Sequence, residues 1–190
     1  MKKILSLVLA MILVLSMAAC TPTDNNKDNT EDQTKVPASA LEVLQNIWAL
    51  YGEEEKFFAM GGDSNNTVDN APGAVDLTNA DFLTYNLLVP ADEHAKVTEA
   101  ASLVHAMNAN TFTGAAYKVA DAEAFANTMK TAVMGNQWMC GFPETLLVVS
   151  FGGGYVLVAY GINDAINPFK THMTTAYPDA KILINEAITG

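Results

Sequence analysis

The stretch Thr145–Gly161, TLLVVSFGGGYVLVAYG, decides how the rest of this chain is read. Two apolar runs, Thr145–Phe151 and Tyr155–Tyr160, flank Gly152-Gly153-Gly154. Valine, leucine, phenylalanine and tyrosine suit a pleated surface. Glycine supplies the positive φ angles of a tight reversal. The pattern predicts a hairpin. It is not a phosphate loop, because no Lys-Ser/Thr pair follows the glycines and no helix begins there.

On the C-terminal side, Asn163 or Asn167 opens a helix to Ala176, with Ile166, Phe169, Met173 and Tyr177 on its apolar face. Pro168 is comfortable only in the first turn of that helix. Pro178 stops it, and Lys181–Ile188 reads as the closing strand. On the N-terminal side, Thr111–Val119 reads as a strand. Asp121 caps a helix to about Met134, with Phe125, Met129, Ala132 and Val133 inward. The order from Thr111 is β-α-β-β-α-β. It predicts an α+β fold of ferredoxin-like type: an antiparallel sheet with both helices on one face and residues 111–119 and 154–160 central.

Further upstream, Ser39 and Glu42 form a capping box for a helix over 40–51, with Leu44, Ile47, Trp48 and Tyr51 on one face. Phe82–Val89 reads as a strand stopped by Pro90. Lys96–Met107 reads as a helix with Val97, Ala100, Ala101, Val104 and Met107 buried. This extra strand and these two helices extend the sheet or cover it. Residues 38–190 are expected to form a single domain.

The N-terminus is of another kind. Lys2 and Lys3 precede the apolar run Ile4–Ala19, and small residues precede Cys20. This is the pattern of a secretory signal, too short for a membrane span. Met17-Ala18-Ala19-Cys20 resembles the lipobox of bacterial lipoproteins, with methionine where leucine is usual. The resemblance implies that residues 1–19 are removed and that Cys20 is lipidated, placing the protein on the outer face of the cytoplasmic membrane. Residues 20–37 then form a tether. Thr21–Val36 is polar throughout and has too little apolar surface to offset the entropy of ordering.

The chain carries 21 acidic residues against 10 basic ones, for a net charge of −11, and every basic residue is a lysine. An acidic surface repels phosphate backbones, and arginine forks are missing. No nucleic acid is expected as a partner, and no basic patch for anionic lipid. Membrane contact is assigned to the lipid on Cys20. With Cys20 acylated, Cys140 is the one free thiol and no internal disulfide can form.

Three places carry candidate chemistry. Asp63, Asn65, Thr67 and Asp69 have the spacing of a calcium loop, but Val68 stands where glycine is required and Ala74 where a bidentate glutamate is required. His94, His105 and His172 lie at no metal-site spacing, so neither a metal nor another cofactor is expected. Asn136–Glu144, NQWMCGFPE, is the most unusual stretch. Trp138, Met139, Cys140 and Phe142 are costly in a solvated loop, so the loop is expected to be covered and Cys140 to be a buried structural cysteine. The functional alternatives are a binding ledge on Trp138 and Phe142, or a thiol activated by His105 or His172. A thiolate just after a helix end is opposed by the dipole.

Residues 82–187 also resemble a family of uncharacterised bacterial lipoproteins. The likeness is carried by Ala101–Phe112, ASLVHAMNANTF, and Gln137–Pro143, QWMCGFP. It implies an envelope location and assigns no activity. The expected function is a lipid-anchored, non-enzymatic module binding an envelope protein or a small ligand. The alternative is a thiol-dependent or hydrolytic envelope enzyme using Cys140 with a histidine.

Overall fold

The computed structural model describes residues 36–189. The expected signal segment, Cys20 and most of the expected tether lie outside the described residues. The strands are β1 (Ala59–Gly61), β2 (Val68–Asp69), β3 (Gly73–Ala74), β4 (Val97–His105), β5 (Phe112–Val119), β6 (Thr145–Phe151), β7 (Tyr155–Gly161) and β8 (Lys181–Ala187). The α-helices are α1 (Ala40–Trp48), α2 (Ala122–Met134) and α3 (Asn163–Ala176).

The hairpin forms as its glycines dictate. β6 and β7 pair antiparallel from Thr145↔Gly161 to Phe151↔Tyr155 without a slip. Gly153 and Gly154 take φ of 75° and 81°. A Cβ on Gly154 would lie 2.7 Å from the Val119 carbonyl oxygen. From this hairpin an antiparallel sheet grows in the order β2-β1-β4-β5-β7-β6-β8, with β3 also paired to β4.

The sheet is mixed with helices as expected, but its order is not ferredoxin-like. In that fold the closing strand would lie beside β5. Here β4 holds that edge, and β8 pairs with β6 at the far side. The helices follow from this change. The connections β5-α2-β6 and β7-α3-β8 both step the same way across the sheet, yet β5 and β7 run antiparallel. Crossovers of one hand from opposed strands must pass over opposite faces. The expected placement of both helices on one face is therefore corrected to a three-layer arrangement.

Two apolar cores result. α1 and α3 pack on Ala101, Leu103, Leu147, Val149, Leu157 and Ala159. α2 packs on the alternate positions, among them Tyr117, Leu146, Val148, Val156 and Val158. The central strands are buried on both sides, which is why they read as unbroken apolar runs.

Two expectations upstream are overturned. Residues 97–105 are a strand, not a helix. Val97, Ala100, Ala101 and Val104 satisfy a helical period by accident, while residues 100–103 are buried on both faces of the sheet. The ladder to β5, from Ala101↔Ala116 to Val104↔Thr113, outweighs alanine's helical preference. Residues 82–89 are not a strand. Phe82–Asn86 form a π-helical turn, started by the Asn79 side-chain oxygen, which accepts the Phe82 N–H at 3.2 Å. Leu83 and Leu87, four apart, are the buried pair, whereas Tyr85 is 76% exposed. Leu88 takes φ of 58° before the chain turns back to Val89.

Helix ends follow local chemistry. Ser39 Oγ accepts the Glu42 N–H at 3.0 Å, and the Glu42 carboxylate accepts the Ala38 N–H at 2.6 Å. α1 stops at Trp48, short of the expected Tyr51, which is buried in the following turn. Asp121 caps α2 by accepting the Ala124 N–H at 3.0 Å. α3 begins at Asn163, so Pro168 lies inside it, beyond the first turn. The proline withholds a hydrogen bond from the carbonyl of Asp164, an exposed residue that water can reach. The Glu144 carboxylate, accepting the Asn163 N–H at 2.6 Å, pins the helix start.

β8 is an edge strand protected against further pairing. Its register shifts at Val148/Val149, and Lys181 and Glu186 are paired with Glu123 and Lys130 of α2. Bulges and charges are the usual devices for blunting an edge. Among the described residues no helix is long and apolar enough to cross a membrane.

Candidate functional site: a cleft at the end of β4

Beyond β1 the chain makes a close crossing. A Cβ on Gly61 would stand 2.2 Å from the Gly73 nitrogen and 2.3 Å from the Ala71 oxygen, so only glycine lets the two segments pass. Gly62 continues at φ of 78°, and its carbonyl accepts the Ser102 hydroxyl at 2.6 Å. This crossing delivers Asp63 to the interior, where it is 2% exposed.

Asp63 organises the loop around it. Its Oδ1 accepts the N–H of Asn65 at 2.7 Å and of Asn66 at 3.2 Å, and its Oδ2 accepts the N–H of Asp76. Burial pushes the carboxyl up, but these backbone donors outweigh burial and hold it below the usual carboxylate range. Thr67 Oγ1 donates to the Asp63 carbonyl at 3.1 Å. The residues with calcium-loop spacing thus build a turn, with the leading carboxylate occupied by backbone N–H groups. Among the described residues no group of three or more His, Cys, Asp or Glu side chains is placed to hold a metal.

Between this loop, the π-helical turn and the end of β4 lies an open cleft of about 420 Å³. Its apolar lining comes from Met60, Phe82, Val104 and Met107, and its polar rim includes Asp81, Asn86 and His105. Asn79 ties two walls together: Nδ2 donates to Ser64 Oγ at 3.0 Å while Oδ1 holds Phe82. His105 stacks on Phe57 with ring centroids 5.5 Å apart. Its Nδ1 accepts the N–H groups of Met107 and Asn108, each at 3.3 Å. The neutral ring therefore carries its proton on Nε2.

The loop after α2 leans on the β4–β5 turn. Asn108 Nδ2 donates to the Cys140 carbonyl at 2.7 Å, and Asn110 Nδ2 donates to the Met139 carbonyl at 2.6 Å. Cys140 takes φ of 61° and is exposed, which overturns the expected buried cysteine. The reason is the fixing of this loop by its backbone carbonyls, which leaves its side chains outside. Met139 is 78% and Phe142 42% exposed. Trp138 turns inward, its ring 5.3 Å from that of Tyr160, and Pro143 is buried as well.

Of the candidates read from the sequence, His105 lines the cleft, whereas Trp138, Cys140 and Phe142 do not. Asn108 touches both groups, but through His105 Nδ1 and the Cys140 carbonyl, not the thiol. Among the described residues no imidazole is hydrogen-bonded to Cys140 Sγ. His172 sits instead against Tyr51 and 3.5 Å from Glu55 Oε2, and His94 Nε2 lies 3.1 Å from the Val89 carbonyl oxygen. Sequence reasoning missed Asn79, Asp81, Phe82 and Asn86, because a strand over 82–89 would have scattered them. Compared with known proteins, the chain matches no family model, no curated protein and no solved structure.

Proposed function

We propose that this protein is a lipid-anchored module of the bacterial envelope, exposed outside the cytoplasmic membrane, that holds a small ligand in the cleft beside His105. The observation that carries the reading is the cleft itself. Its volume of about 420 Å³ falls in the range of small-molecule sites. The backbone of its walls is fixed by Asp63, by the Gly61/Gly73 crossing and by Asn79, while the exposed Met60 and Met107 side chains can adapt to a ligand. A backbone held this way loses little entropy on binding.

The anchor rests on the lipobox-like Met17–Cys20 and on the resemblance to bacterial lipoproteins. The described chain starts at Val36, beside Gly152 of the hairpin, and Tyr155 donates to the Ala38 carbonyl at 3.0 Å. That is the end of the sheet where β4 begins. At about 3.3 Å per residue β4 carries the chain roughly 26 Å to the cleft. Val36 and the cleft therefore lie at opposite ends of β4. The alternative, a thiol enzyme, has the exposure of Cys140 in its favour, but among the described residues no base is hydrogen-bonded to the thiol.

The anchor is tested by expressing the full chain and its Cys20→Ala variant in bacteria fed labelled palmitate. The wild type should incorporate label and pellet with membranes, and the variant should do neither. An unlabelled, freely released wild type contradicts the proposal.

A further inference from the structure

We infer that the cleft takes an organic monocation with an apolar body, such as an alkylammonium compound. This rests on the reading of the cleft as a ligand site and names the class of ligand. The polar groups lining the cleft divide into two sets. Asp63, Ser64, Thr67, Asn79, Asn108 and Nδ1 of His105 are engaged in holding the walls. Among the described residues the side chains of Asp81 and Asn86 have no hydrogen bond or ion pair, so they remain for a ligand, as does the Nε2–H of His105. Asp81 precedes the π-helical turn yet makes no capping bond.

Charge then selects the ligand. The lining contains two carboxylates, Asp63 and Asp81, and no lysine, and the chain has no arginine. Neither carboxylate forms an ion pair among the described residues. Asp63 is 2% exposed and is surrounded by backbone N–H groups that keep it ionised. A charge in the wall of a cleft projects its field into that cleft. An anionic ligand would meet two like charges, with only the N–H donors of Asn86 and His105 to offset them. A metal ion would meet too few free oxygens, since those of Asp63 are already taken. Met60, Phe82, Val104 and Met107 favour an apolar body, and an aromatic ring such as Phe82 adds attraction for a cation.

The test uses the full chain in neutral maltoside micelles and three probes with one tail: hexyltrimethylammonium, hexanesulfonate and hexanol. Binding is followed by amide shifts at Gly62, His105 and Asn108. The ammonium probe should bind about twofold to fivefold more tightly than the other two, the range for one exposed ion pair. Asp81→Asn should remove most of that preference without moving the thermal midpoint, because its carboxylate makes no hydrogen bond or ion pair among the described residues. Equal or tighter binding of hexanol or hexanesulfonate at those amides overturns the monocation and leaves the cleft a ligand site. If no probe shifts them, both readings fall. An ammonium preference that survives Asp81→Asn and Asp63→Asn together also overturns the inference.

Discussion

Truncating Phe169 to alanine should lower the free energy of unfolding by about 3–5 kcal/mol, and truncating Phe125 should do the same. Phe169 on α3 is fully buried, its ring 4.8 Å from that of Phe112. Phe125 on α2 is 2% exposed, its ring 5.1 Å from that of Tyr117. The two positions belong to separate cores on opposite faces of the sheet. Combining the variants turns this geometry into a measurable quantity. Phe112 and Phe169 touch, so their double-mutant cycle should show a coupling of about 0.5–1.5 kcal/mol. Phe125 and Phe169 are separated by the sheet, so their effects should add within about 0.5 kcal/mol. Urea unfolding of the three single and two double variants gives both numbers. A sizeable coupling between Phe125 and Phe169 would place α2 and α3 on one face.

The second large effect is expected at Asp63. Alanine there leaves the N–H groups of Asn65, Asn66 and Asp76 without their acceptor. Hydrogen bonds to a charged group are each worth about 1.5–3 kcal/mol, and water in the open cleft recovers part of the loss. A net cost of about 3 kcal/mol follows. Asparagine should cost nearly as much, because its amide would turn a donor toward one of those N–H groups. The pH dependence has a definite sign. The folded protein holds this carboxyl below its usual range. Its stabilisation is therefore complete above the unfolded-chain value of about 3.9 and fades as pH falls through that value toward the lower folded one. Acid unfolding curves should show that loss in the wild type and a shallower one in Asp63→Ala. Identical curves for the two would remove Asp63 as the organiser of the cleft wall.

Parts of the fold set by local chemistry were legible in the sequence. The triple glycine defined the hairpin, Ser39 and Asp121 marked two helix starts, and Ile166, Phe169, Met173 and Tyr177 marked the inner face of a third. What failed was the choice among long-range pairings. Nothing near Lys181–Ala187 states which edge it joins. That depends on β4 already lying against β5, and β4 was hidden because its alanines fit two periods. One signal did point the right way. Leu146 to Val149 are all fully buried, and a run of that kind needs cover on both faces of the sheet. The site was less legible for a similar reason. Its walls come from the segments around residues 60–67, 79–86 and 104–109, which only the tertiary fold brings together. His105 was singled out with the loop at Cys140, and the structure joins that loop to its neighbourhood only through Asn108 and Asn110.

The place of β4 carries both the layer arrangement and the cleft, and cross-strand nuclear Overhauser effects report it directly. The fold requires close contacts between Ala101 and Ala116, between Leu103 and Gly114, and between Val148 and Ile184. Contacts instead between residues 181–187 and residues 112–119, with helical connectivities over 97–105, would contradict it and leave the cleft without its wall.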